Sequence, residues 1–121
     1  MGDYRKLRAW EEGHRLALAI YKATSAFPKE EQYGLTSQMR RAAASIPANL
    51  AEGCGRNRDA ELARFAGIAL GSANELEYQL LLAHELGYLA QAEHARLSRR
   101  VAELKPMLAR LVQSMRPTTE D

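Results

Sequence analysis

The stretch LSRRVAELKPMLARLVQSM, residues 97–115, places Leu97, Val101, Leu104, Leu108, Leu111 and Met115 at spacings of four, three, four, three and four. That rhythm lays one apolar seam along one side of a helix, whereas a strand would alternate at every second residue. The seam predicts a helix from about Ala90 to Met115, bent at Pro106, whose ring removes a backbone hydrogen bond and crowds the preceding turn. Upstream, Asp59 and Glu61 suit a helix N-terminus, and the helical pattern runs on to Leu86 before Gly87 supplies a stop. A helix of about 28 residues is roughly 42 Å long, which fits a long bundle and not a globin-like packing.

Two further helices complete the set. The first runs from Tyr4 or Leu7 to Ser25 and ends before Phe27-Pro28; the second starts near Leu35 or Thr36, with Thr36 as the expected cap, and closes at Gly53-Cys54-Gly55. Met39, Ala42, Ala43, Ile46 and Leu50 keep one phase across Pro47, so a kink is expected there and not a break. Four amphipathic segments with short connectors predict an all-α chain, an antiparallel up-down-up-down four-helix bundle. Residues 1–121 form one domain on this reading, with 1–3 and 117–121 frayed.

Seventeen Lys+Arg against fifteen Asp+Glu give a net charge of +2, too small a total to imply a polyanion partner. The distribution is uneven. Residues 59–95 carry six acids and one base, whereas residues 96–116 carry six bases and one acid. Charge complementarity between neighbouring helices explains this first, and an anion site second. The single cysteine, Cys54, and the absence of an apolar N-terminal core predict a cytoplasmic protein, with no membrane anchor.

Catalytic and metal-binding patterns are missing. Glu11 and His14 form one Glu-x-x-His pair, but the second pair of a di-iron bundle is not there, and a lone histidine on an apolar stripe reads as an interior residue. No metal or cofactor is expected. With no phosphate loop, dinucleotide fingerprint or paired-carboxylate arrangement, the sequence reads as non-enzymatic.

Three surface features remain. Gln38, Arg41, Ser45, Asn49 and Glu52 line one side of the second helix, and Ser72, Glu75 and Gln79 line the third at matching spacing. They are expected to meet as a hydrogen-bonded seam that fixes register, with a ligand site as the alternative; Arg41 would then be buried and paired. Gly67, Ile68, Leu70 and Gly71 give the third helix apolar surface beyond what one core uses, which suggests a second subunit, a close contact within the chain being the alternative. Arg5, Lys6, Arg8, Arg56, Arg58, Arg96, Arg99, Arg100, Lys105, Arg110 and Arg116 are candidate contacts to nucleic-acid phosphates, without any motif for reading sequence.

The run Leu35-Thr36-Ser37-Gln38-Met39-Arg40-Arg41-Ala42-Ala43, continued by Ser45-Ile46-Pro47-Ala48-Asn49-Leu50-Ala51-Glu52-Gly53, resembles the four-helix-bundle proteins encoded in intervening sequences of bacterial 23S ribosomal RNA genes. Tyr21 with Phe27-Pro28, Glu31-Gln32-Tyr33-Gly34-Leu35, Gly71-Ser72 with Glu75, and Leu86-Gly87-Tyr88 extend the likeness over nearly the whole chain. The resemblance implies a homo-oligomer, typically a ring of five, and no activity. The accessory protein of diversity-generating retroelements is a similar relative, a basic pentamer that binds nucleic acid and a reverse transcriptase; this chain departs from its strongly basic pattern. Two readings of function follow: an oligomeric bundle that contacts structured RNA or a ribonucleoprotein through its arginines, or a protein-interaction scaffold that binds no nucleic acid.

Overall fold

The computed structural model describes residues 2–115. The expected fraying of 117–121 and the candidate contact Arg116 lie outside the described residues. A 3-10 turn, Tyr4–Lys6, leads into α1 (Arg8–Thr24); a second, Lys29–Glu31, precedes α2 (Leu35–Gly55), and α3 (Asp59–Glu85) and α4 (Gln91–Met115) follow. No strand occurs among the described residues.

Each helix packs on the next and α4 returns to α1, while the diagonal pairs α1/α3 and α2/α4 bring no two Cα atoms within 8 Å. The result is a four-helix bundle, as the apolar periodicity predicts. Rising residue numbers on one helix meet falling numbers on its neighbour: Gly13 faces Ile46 while Tyr21 and Thr24 meet Arg40, and Gly53 faces Leu62 while Ser45 meets Ser72. Leu16, Ile20, Met39, Ile46, Leu50, Leu62, Leu76, Leu80, Leu97, Val101, Leu104 and Leu108 form the fully buried interior. Pro47 and Pro106 both sit inside uninterrupted helices.

Helix ends differ from expectation where the tertiary structure supplies the cap. Thr36 is buried in the first turn of α2 and does not cap it; Glu31 Oε1 instead accepts the Leu35 N–H at 3.0 Å. Gly53 does not take the left-handed geometry that closes a helix. It stays helical and buried against α3, and Asn57 adopts the positive φ of 60°. Gly87, at φ 85°, terminates α3 as expected.

Glu31 has a second partner. Tyr88 Oη donates to Glu31 Oε2 at 2.9 Å, and the Tyr88 ring lies 5.3 Å from that of Phe27, so the chain before α2 is tied to the chain before α4. The Leu35 N–H, and after it the Tyr88 hydroxyl, hold the Glu31 carboxyl below its ordinary value of 4.5. A depressed carboxyl stabilises the fold fully above its unfolded value and loses that contribution as pH falls through the lower folded value. Glu31→Gln should therefore lower Tm at pH 7 and flatten the fall of Tm below the ordinary carboxylate range, as read by thermal denaturation across an acid pH series.

A Cβ added at Gly53 would lie 3.0 Å from Phe65 Cβ and 3.1 Å from Leu62 Cα, whereas one added at Gly67 or Gly71 meets nothing within 4 Å. Gly53→Ala should cost about 1–3 kcal/mol by overpacking. Gly67→Ala should stabilise an isolated chain by roughly 0.5–1 kcal/mol, and urea unfolding measures both.

Candidate nucleic-acid interface

Phosphate binding needs cations that are exposed and not already paired. The turn Tyr4–Lys6 packs against both α1 and α2, and Arg8 and Arg110 line a common hollow with Leu7, Met107 and Leu111. The start of α1, the α2–α3 connector and the last turns of α4 thus share one end of the bundle. That end gathers Arg5, Lys6, Arg8, Arg56, Arg58 and Arg110. Arg5 pairs with Asp3 at 3.1 Å, and Arg56 with Glu52 at 3.0 Å and Glu61 at 3.7 Å. Lys6, Arg8, Arg58 and Arg110 are exposed and form no ion pair among the described residues.

The other candidates are spread along α4. Arg96 pairs with Glu93 at 2.9 Å, and Lys105 reaches Glu77 of α3 at 3.0 Å. Arg99 and Arg100 are exposed without an ion pair, and Arg100 shares a hollow between α1 and α4 with Arg8, Glu12 and Glu103. A further hollow along the same helix pair is lined by Lys22 and Arg96, and Lys22 was not among the sequence candidates. Lys22, beside Tyr21 in the sequence, carries no signal until α4 is laid beside α1.

The motif residues pair with one another. Ser45 Oγ lies 2.9 Å from Ser72 Oγ, Asn49 Nδ2 donates to both the carbonyl and the hydroxyl of Ser45 at 2.8 Å, and Gln79 Nε2 donates to Glu75 Oε2 at 3.3 Å. A family model described as 23S rRNA-intervening sequence protein matches residues 5–110. The chain belongs to that family. Among solved structures it is similar to a protein of unknown function from the S23 ribosomal protein family of Bacteroides thetaiotaomicron, 21% identical with a TM-score of 0.79, over 88% of this chain and 96% of that one. At that identity the likeness is one of fold. No curated protein matches the chain.

In this member of the 23S rRNA-intervening sequence protein family, the polar stripe of α2 is only partly drawn into contact with α3. Gln38, Arg41 and Glu52 are exposed, Ser45 and Asn49 half-buried, and Gln79 buried. Gly67, Ile68 and Gly71 are exposed and Leu70 is half-buried, so the two glycines make no close contact within the chain. His14 is exposed and stacked on Trp10 at 5.1 Å, not interior. No three His, Cys, Asp or Glu side chains among the described residues come together as metal ligands, and no helix among them is long and apolar enough to cross a membrane.

The sequence leaves open whether Arg40 and Arg41 face solvent, and in the structure Arg41 is exposed and Arg40 half-buried. One helical step of about 100° separates the two arginines. Arg40 takes the interhelical position: its Nε donates to Thr24 Oγ1 at 2.9 Å, its Nη2 to the Tyr21 carbonyl at 3.1 Å, and its guanidinium lies 4.7 Å from the Tyr21 ring. Arg40→Ala should therefore cost about 1–2 kcal/mol, and Arg41→Ala less than about 0.5 kcal/mol, in parallel urea melts.

Proposed function

We propose that this chain is a non-enzymatic, self-associating bundle that binds structured RNA through the phosphates, using the basic end that gathers Lys6, Arg8, Arg58 and Arg110. The observation that carries this reading is that these four cations, drawn from three separate segments, share one end and form no ion pair among the described residues. The rest of the chain carries 13 Lys+Arg against 15 Asp+Glu, a net −2 that limits the affinity of one copy, and self-association multiplies that affinity by raising effective concentration. The outer face of α3 supports the self-association: Gly67 and Gly71 have open space above them, beside exposed Ile68 and Tyr78. The family's name refers to the location of its genes and adds no weight to RNA binding; the cytoplasm is the proposed location.

The rival is a protein-interaction scaffold. It gains support from Arg56, Arg96 and Lys105, whose charge is already engaged by carboxylates of the same chain.

Fluorescence anisotropy of a labelled structured RNA, titrated at several salt concentrations and against duplex DNA, separates the two. Binding should weaken linearly on a log–log salt plot, and Arg8→Ala with Arg58→Ala and Arg110→Ala should reduce the slope by about 2–3, since each phosphate contact contributes roughly 0.9. Lys105→Ala should leave it unchanged. Absence of binding at low salt up to tens of micromolar, about the reach of non-specific phosphate contacts, would leave the scaffold as the account. Light scattering that finds a monomer at micromolar concentration would remove the avidity argument.

A further inference from the structure

The polar stripes of α2 and α3 do more than join the two helices. Above the Ser45–Ser72 contact the helices part into an open cleft of 340 Å³, lined by Gln38, Arg41, Ala42, Ser45, Ser72 and Glu75. That volume lies at the lower end of small-ligand sites, near 300 Å³. We propose that this cleft binds a small zwitterion, an α-amino acid, with Arg41 on its carboxylate and Glu75 on its ammonium group.

The charges make the first part of the case. Some opposite charges on the helices pair, Arg15 with Glu11, Arg64 with Glu61, Arg96 with Glu93, and Lys105 with Glu77 across α3 and α4, whereas Arg8, Glu12, Arg100 and Glu103 share the α1–α4 hollow without an ion pair. Arg41 and Glu75 line the same cleft from facing helices and form no ion pair, either with each other or with any other described residue. A free anion such as phosphate would meet Glu75, and a free cation would meet Arg41. A molecule carrying both signs a few bonds apart satisfies both.

Hydrogen-bond accounting makes the second part. Asn49 Nδ2 donates to Ser45 alone, lying 2.8 Å from both its carbonyl and its hydroxyl oxygen. The two serine hydroxyls share one contact, which uses one of their two protons. Whichever serine donates, the other hydroxyl proton has no acceptor among the described residues and is free for a ligand oxygen beside Arg41. Glu75 is held from below, where Gln79, 4% exposed, donates to its Oε2. Gln79 leaves its own Oε1 as the sole buried side-chain polar atom without a partner among the described residues, so what places this amide is its bond to Glu75.

Only Ala42 offers apolar lining, so the ligand's own side chain would face solvent and discrimination among amino acids should be slight. The site is separate from the basic end, and the outcome of the RNA titration does not bear on it.

The test is an NMR titration of the full chain, reading the backbone amides of Ser45, Ser72 and Glu75, with glycine, N-acetylglycine, glycine methyl ester and inorganic phosphate as probes. Glycine should give saturable shifts. N-acetylglycine, which lacks the ammonium, and the methyl ester, which lacks the carboxylate, should bind about tenfold more weakly or worse, as should glycine to Glu75→Gln or Arg41→Gln. Both variants change exposed side chains, and unchanged spectra away from the cleft confirm that they fold. The proposal is overturned by the absence of saturable shifts up to about 10 mM glycine, beyond ordinary weak affinity, or by equal binding of all four probes.

Discussion

Because Gly13 and Gly53 carry no side chains, α2 lies closer to both of its neighbours than a Cβ at either position would allow without displacement. A Cβ at Gly13 would stand 3.0 Å from Ile46 Cγ2, and one at Gly53 would stand 3.0 Å from Phe65 Cβ. Small residues continue the α2–α3 contact, with Ala42, Ala43, Ala66, Ala69 and Ala73 all buried. The short interhelical distance is what lets two serine hydroxyls meet at 2.9 Å. Moving α3 outward by a side-chain layer would separate Ser45 from Ser72 and open the interior to water.

The division of charge between α3 and α4 plays a smaller structural part than their sequences suggest. Lys105–Glu77 is the one ion pair that joins these helices among the described residues; Arg96 pairs within α4 and Arg64 within α3. Exposed pairs of this kind stabilise little, about 0–1 kcal/mol each. Complementarity therefore accounts for Lys105 and leaves Arg99, Arg100 and Arg110 without a carboxylate. The basic end draws only Arg110 from this division, since Lys6, Arg8 and Arg58 lie outside both stretches.

Much of the fold was legible because its signals are local and periodic. The heptad from Leu97 to Leu108 is buried throughout, Gly87 ends α3, and the apolar phase of α2 passes through Pro47. Helix ends and the choice between adjacent side chains were less legible, since both depend on what comes near from elsewhere. Thr36 satisfies the local rules for a cap, but Glu31 reaches the Leu35 N–H first because Tyr88, 57 residues along the chain, holds its other oxygen. Arg40 and Arg41 are equivalent in composition and differ by one helical step, which only the position of α1 resolves. The basic end could not be read from the sequence either, because it forms from three separate segments.

The residues that carry the family resemblance are also those that fasten the elements to one another. Glu31 meets Tyr88, Arg40 meets Tyr21 and Thr24, and Ser45 and Asn49 meet Ser72. Those contacts give such residues a structural reason to be present. Gly67 and Gly71 have no such reason within one chain: each costs α3 about 0.5–1 kcal/mol relative to alanine, and no neighbour approaches closely enough to require its absent side chain. Close approach of a second backbone is the contact that would repay that cost, and it is why self-association through the outer face of α3 belongs in the proposal.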